Sequence, residues 1–251
     1  VQYSGIYSIL QDPVLFAPSA KEEKEGSWIA KQSEKARKGG TIRAVLHDWL
    51  YRTPIDGSSP DHPDDDAVVD AFLVRYEGAL KAHHDRQVDR LVATGLTAGK
   101  EVRARFDRSA DLARMFLSAT DLTEDSLLPG EDLAEVRRRR RRVRAGLLFI
   151  ESHRQLPLLA WPRLLVDTVV EVEEQLVLFR TRHARMVERV IGRRVGTGGS
   201  SGVDYLDRTT RHRIFGDLWT VRTLLLPKEL VPAVQHPERY AFADMGNALG
   251  G

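Results

Sequence analysis

The chain has no cysteine among its 251 residues. That excludes disulfides, thiolate metal sites, thiolate-ligated haem and haem attached through thioethers, and it suits a reducing cytoplasm. No apolar run approaches the 18 residues that a membrane-spanning helix needs, and no signal-peptide pattern opens the chain. A soluble, cytoplasmic protein is therefore expected. Net charge is nearly absent too: 38 Lys and Arg against 36 Asp and Glu leave +2. That balance argues against a protein built mainly to bind nucleic acid. No internal repeat is visible, and no segment sustains the period-two alternation of strands.

What is present is helical periodicity. With 42% hydrophobic and 29% charged residues, the composition is that of a single globular domain over residues 1–251. Residues 1–40 read as an N-terminal arm and 227–251 as a surface tail. Between them the spacing predicts helices over 41–52, 67–94, 100–119 and 131–146, then a long one from Trp161 to Gly192, and another over 213–226. The expected fold is all-α, a helical bundle of about six to eight helices organised around the long one.

In that long helix Leu165, Val169, Val172, Leu176, Phe179, Met186, Val187 and Val190 recur at threes and fours, and His183 falls on the same face. At 1.5 Å per residue the rod is roughly 45 Å long, enough to serve as the spine of the domain. A glycine-rich run, Gly196-Thr197-Gly198-Gly199-Ser200-Ser201-Gly202, comes almost at once. A Rossmann turn needs a preceding strand and a phosphate-binding loop needs a following Lys-Ser/Thr, so this is neither. An inward histidine and a loop of small hydroxyls fourteen residues later can form two walls of one pocket. A packed core histidine is the alternative.

Earlier in the chain, His84 lies between Leu80 and Val88 on the apolar face of the 67–94 helix, whereas His83 points aside. His47 falls with Arg43 and Tyr51 away from the apolar side of its helix. Arg137 to Arg142 are six consecutive arginines, with Arg144 beyond them. On a helix they point in all directions, so a solvated or subunit-contacting helix that pairs with the acidic loops, one arginine turned inward, is expected.

The segment from Phe179 through Arg180, Arg182, His183, Val187, Arg189, Val190, Ile191 and Gly192 to Gly196-Thr197-Gly198-Gly199-Ser200-Ser201-Gly202-Val203 resembles the haem-binding signature of the tryptophan 2,3-dioxygenase superfamily, the histidine-ligated haem-dependent aromatic oxygenases. The resemblance implies haem b as cofactor, His183 as the proximal iron ligand, Gly196 and Thr197 at the cofactor, and Thr197, Ser200 and Ser201 around the substrate's charged end. It also implies a distal histidine on an earlier helix, for which His84 is the first candidate and His47 and His83 the others, and assembly as a homo-oligomer. Tyr3-Ser4-Gly5-Ile6-Tyr7 is similar to the family's N-terminal Tyr-Gly-Gly-Tyr segment.

The departures steer the substrate. The dioxygenase segments Phe-Ile-x-x-His-Gln and Phe-Arg-x-x-Leu-Gly are absent, and Val187 stands where one hydroxylase branch attaches haem through cysteine. The remaining pattern is most similar to the haem-dependent L-tyrosine 3-hydroxylases of antibiotic biosynthesis. On that resemblance the expected reaction converts L-tyrosine to 3,4-dihydroxy-L-phenylalanine with hydrogen peroxide or O2. The alternatives are an oxygenase acting on tryptophan or a derivative, and a non-enzymatic scaffold that binds an acidic partner or nucleic acid through Arg137 to Arg144.

Overall fold

The computed structural model describes residues 42–58, 65–95, 99–124, 127, 130–192, 203–210 and 213–241. Among them every regular element is a helix: α1 (Ile42–Tyr51), α2 (Asp65–Ala93), α3 (Gly99–Ser118), α4 (Leu133–Ser152), α5 (Ala160–Ile191), α6 (Val203–Thr209) and α7 (Gly216–Thr220), with short 3-10 turns before α5 and after α7. The all-α expectation holds, and none of these helices is long and apolar enough to cross a membrane.

The centre of the core is α4, not the long helix. From Arg142 to Glu151 every residue of α4 is buried. The reason lies in the sequence: Ala145 to Ile150 carries no polar side chain on any side, and a helix that is apolar all round is stable only when surrounded. Asp132 caps its start, accepting the Glu135 N–H at 2.9 Å. α1 lies across α4 at Gly146, where an added Cβ would stand 2.6 Å from the Leu50 carbonyl oxygen. α2 and α3 form an antiparallel pair that packs on α4 through Phe72, Leu73, Tyr76, Phe116 and Leu117.

The long helix, 32 residues from Ala160, starts on a Pro157–Leu159 turn and ends at Gly192, whose φ of 65° suits glycine. Its buried stripe is Val166, Val169, Val170, Glu173, Arg180 and Ala184, rotated from the predicted one. Val172, Met186 and Val190 are exposed. On α3, Leu112 and Met115 are exposed as well, while Ala113, Phe116 and Leu117 face the core.

The arginine run is absorbed by the fold. Arg138 pairs with Glu135 and Asp66, Arg139 with Asp48, Arg140 with Asp217, and Arg144 with Asp121 and Asp217. Two arginines turn inward rather than one, Arg142 and Arg144. The predicted 213–226 helix is shorter, a five-residue α7 continued by a 3-10 turn over Val221–Leu224. The tail after Pro227 is not merely superficial: Tyr240 is 2% exposed. Its hydroxyl donates to the Pro54 carbonyl and accepts the Gly57 N–H, tying the end of the chain to the α1 exit.

Candidate functional site

His183 lies one position from Ala184, which is fully buried, and is itself half-buried. Its ring is stacked on that of Phe179 one turn earlier, with centroids 5.9 Å apart and planes 10° from parallel. Around it the helix surface is apolar and open, with Met186 and Val190 exposed. The helix bearing His183 is held in place by its successor. α6 packs on α5 with Val203 fully buried, and Arg185 forms ion pairs with Asp207 and Glu188.

Glu173, ten residues before His183 and 1% exposed, is the deepest anchor. Its Oε1 accepts the backbone N–H groups of Ile214 and Phe215, and its Oε2 accepts the Trp219 indole N–H at 2.5 Å. The turn returning from α6 is thus clamped to α5. Sequence reasoning missed Glu173. The signal was there, since Val166, Val169, Val170 and Glu173 keep helical spacing and put a carboxylate on the core stripe.

His84 sits where its helix was expected to put it, between buried Leu80 and Val88. It lines a cavity of about 470 Å3 bounded by α2 and α3, with Phe106 edge-on to its ring at 5.4 Å. Among the described residues its buried Nδ1 has no hydrogen-bond partner. Burial, and then the neighbouring His83, hold the imidazole below its ordinary pKa. No residue of α5 lines this cavity, so within one chain His84 and His183 are not brought together. His47 belongs elsewhere again. It faces α4, its Nε2 3.4 Å from an Arg140 nitrogen, and burial, followed by the charges of Arg140 and Arg43, pushes it down to about 3. Gly196, Thr197, Ser200 and Ser201, like Tyr3 and Tyr7, lie outside the described residues.

A family profile described as tryptophan 2,3-dioxygenase matches residues 30–225, most of the chain and every helix just described. The chain belongs to the tryptophan 2,3-dioxygenase family. The tryptophan 2,3-dioxygenase-like protein of Xanthomonas campestris is 48% identical over 216 residues, 85% of this chain and 75% of that protein. The tryptophan 2,3-dioxygenase of Sorangium cellulosum is 45% identical over 229 residues, 90% of this chain but 51% of that protein. Tryptophan 2,3-dioxygenase 2 of Ralstonia nicotianae is 47% identical over 209 residues, 82% of this chain and 53% of that protein. The chain thus spans about half the length of two of these relatives.

Proteins of the tryptophan 2,3-dioxygenase family depend on haem b. The residues around His183 fit such a group. Among the described residues no cluster of three or more His, Asp or Glu could hold a metal ion between them. An imidazole beside Phe179, Met186 and Val190 would suit an iron that brings most of its ligands with it in a macrocycle. Phe179, Met186 and Val190 offer that macrocycle apolar contact rather than competing ligands.

Proposed function

We propose that this chain is a haem-dependent oxygenase acting with O2 on tryptophan or a tryptophan derivative. The observation that carries the reading is the similarity, 45% to 48% identical across more than four-fifths of the chain, to three proteins named tryptophan 2,3-dioxygenase or a likeness of it. The L-tyrosine 3-hydroxylation expected from the missing dioxygenase segments has no support in those comparisons. It becomes the other outcome of the test.

In this proposal His183 would hold the haem iron. Haem supplies the oxidising chemistry; the chain supplies the imidazole, its orientation and the walls. Stacking on Phe179 limits rotation of the His183 ring, and the Glu173 clamp fixes the register of the 214–219 turn against the same helix. Gly196 and Thr197 at the cofactor, and Thr197, Ser200 and Ser201 at the amino acid's charged end, remain part of the reading through the signature they complete. Assembly as a homo-oligomer belongs to it as well. Trp161, Leu164, Val172, Met186 and Val190 leave a long apolar stripe of α5 exposed, more than a solitary chain ordinarily shows to water.

The test is the absorption spectrum of the haem-supplemented protein titrated with L-tryptophan and with L-tyrosine, followed by mass analysis of products formed under 18O2. A Soret band shifted by tryptophan, with labelled oxygen in its product, is expected. A response to tyrosine alone would replace this reading with the hydroxylase.

A further inference from the structure

Away from the His183 face, a cavity of about 650 Å3 runs between α3 and the segment from Gly216 to Leu224. Its α3 wall carries Arg105, Arg108, Leu112 and Met115, whose spacing of threes and fours puts them on one side of the helix. At 1.5 Å per residue, Arg105 and Met115 stand about 15 Å apart, so the groove has two distinct ends. Between them it is apolar. Leu112 is 65% exposed and Met115 44%, and the buried Phe116 and Leu224 line the same space.

The inner end is charge-balanced. Arg144 donates to both oxygens of Asp121 and to Asp217, and Asp217 accepts from Arg140 as well. Two guanidiniums thus meet two carboxylates, and Glu173 adds a third carboxylate on the α5 side of the same turn, engaged by the N–H groups of Ile214, Phe215 and Trp219. An anion gains nothing there. The outer end differs: Arg105 and Arg108, one turn apart and exposed, make no ion pair or hydrogen bond among the described residues. The acids of their own helix do not serve them. Asp107 and Asp111 line the His84 cavity on the α2 side, Asp111 is paired with Arg114, and Glu101 pairs with neither arginine.

We propose that this groove binds a small amphipathic organic anion, its carboxylate held by Arg105 and Arg108 and its apolar body laid along Leu112, Met115 and Leu224. The forked donors of guanidinium groups suit a carboxylate, and covering Leu112 and Met115 takes apolar surface out of water. The volume lies within the roughly 300–1,000 Å3 of small-molecule pockets. A zwitterionic amino acid is a poorer match, because its ammonium would sit beside two guanidiniums. No residue of α5 lines the groove, so this site is independent of haem at His183.

The test is calorimetric titration of the haem-supplemented full chain, at fixed ionic strength, with octanoate and with its neutral counterpart octanamide. Octanoate should bind once per chain with a Kd of about 0.1–1 mM, and octanamide roughly tenfold more weakly. The double variant Arg105→Gln/Arg108→Gln should weaken octanoate by roughly tenfold and leave octanamide unchanged, whereas Leu112→Ser should weaken both. All three side chains are exposed, so the variants should keep the parent Tm. Equal affinity for octanoate and octanamide overturns the proposal, as does the absence of octanoate binding. Octanoate bound as tightly by the double variant as by the parent overturns it too, since the anion would then lie at another site.

Discussion

Trp219 donates its indole N–H to Oε2 of Glu173 at 2.5 Å, and the other oxygen of the same carboxylate accepts two backbone N–H groups. Three donors thus converge on one buried carboxylate with no cationic partner among the described residues. Glu173→Ala would leave all three without an acceptor in a dry environment. Each buried unsatisfied donor costs about 1–3 kcal/mol, so a loss of about 3 kcal/mol or more is expected. For a chain of this size that is a fall in Tm of about 6–12 °C. A drop under ~2 °C in a calorimetric scan would show that water replaces the carboxylate without penalty.

The crossing of α1 and α4 makes a second prediction. A Cβ on Gly146 would stand 2.6 Å from the Leu50 carbonyl oxygen and 3.3 Å from Thr53 Cβ. The first of these is backbone, which cannot swing aside. Gly146→Ala should therefore destabilise by about 1–3 kcal/mol, although alanine is the better helix former. Chemical denaturation measures this directly, and a stabilised variant would mean that the two helices part freely.

Much of the helical order was legible because periodicity is a local property. α2 buries Leu73, Tyr76, Leu80 and Val88 as its spacing predicts. The long helix, predicted from Trp161 to Gly192, was found within a residue at each end, with Gly192 as its stop. What periodicity could not give was which apolar stripe wins. Val166, Val170 and Glu173 face the core while Val172, Met186 and Val190, equally apolar in composition, do not. That choice is set by α4, Ile214 and Phe215, which are distant in sequence. The same holds for the arginines: Arg140 and Arg144 meet Asp217, more than seventy residues away. His183 was legible as a motif; the separation of His84 from it depends on how α2 and α3 pack, which no spacing encodes.

Two buried histidines predict acid sensitivity. His153, packed against Phe149 and Phe72, is held down to about 4 by burial, with Asp56 opposing weakly, and His47 is held down to about 3. Both are lowered from an unfolded value of 6.5. Between those limits the unfolded chain binds more protons than the folded one, so stability rises with pH and is lost on acidification. The loss starts as pH falls below about 6.5, at up to ~1.4 kcal/mol per pH unit for each histidine, and levels off below the folded values. Unfolding measured from pH 7.5 to 4.5 should show this slope, and His153→Phe should remove about half of it. A flat profile over that range would mean both rings are solvated.

His84 permits a sharper decision about catalysis. Its cavity belongs to α2 and α3, so His84→Ala should leave haem content unchanged. If His84 transfers a proton in the reaction, turnover should fall by about 10² to 10⁴-fold, with the substrate-induced spectral change retained. Turnover within a factor of about three of the parent would take the distal role away from this residue.

His183→Ala should abolish haem binding with little change in stability of the apo chain. The ring is half-buried and stacked on Phe179 of its own helix, and its neighbours Met186 and Val190 already face water. Removing it opens no cavity in the core, where α4 and not α5 carries the packing. A purely structural histidine would give the opposite pair of results, loss of Tm with retained cofactor. Soret absorbance after haem supplementation and Tm of the apo protein, measured on the same variant, therefore separate the two roles. Imidazole added to His183→Ala supplies a third readout, since an exogenous ring filling the vacated space on an open helix face should restore the Soret band. Restoration would tie the spectrum to a ligand at that position, whereas an unchanged spectrum in the unsupplemented variant would put the iron at another residue.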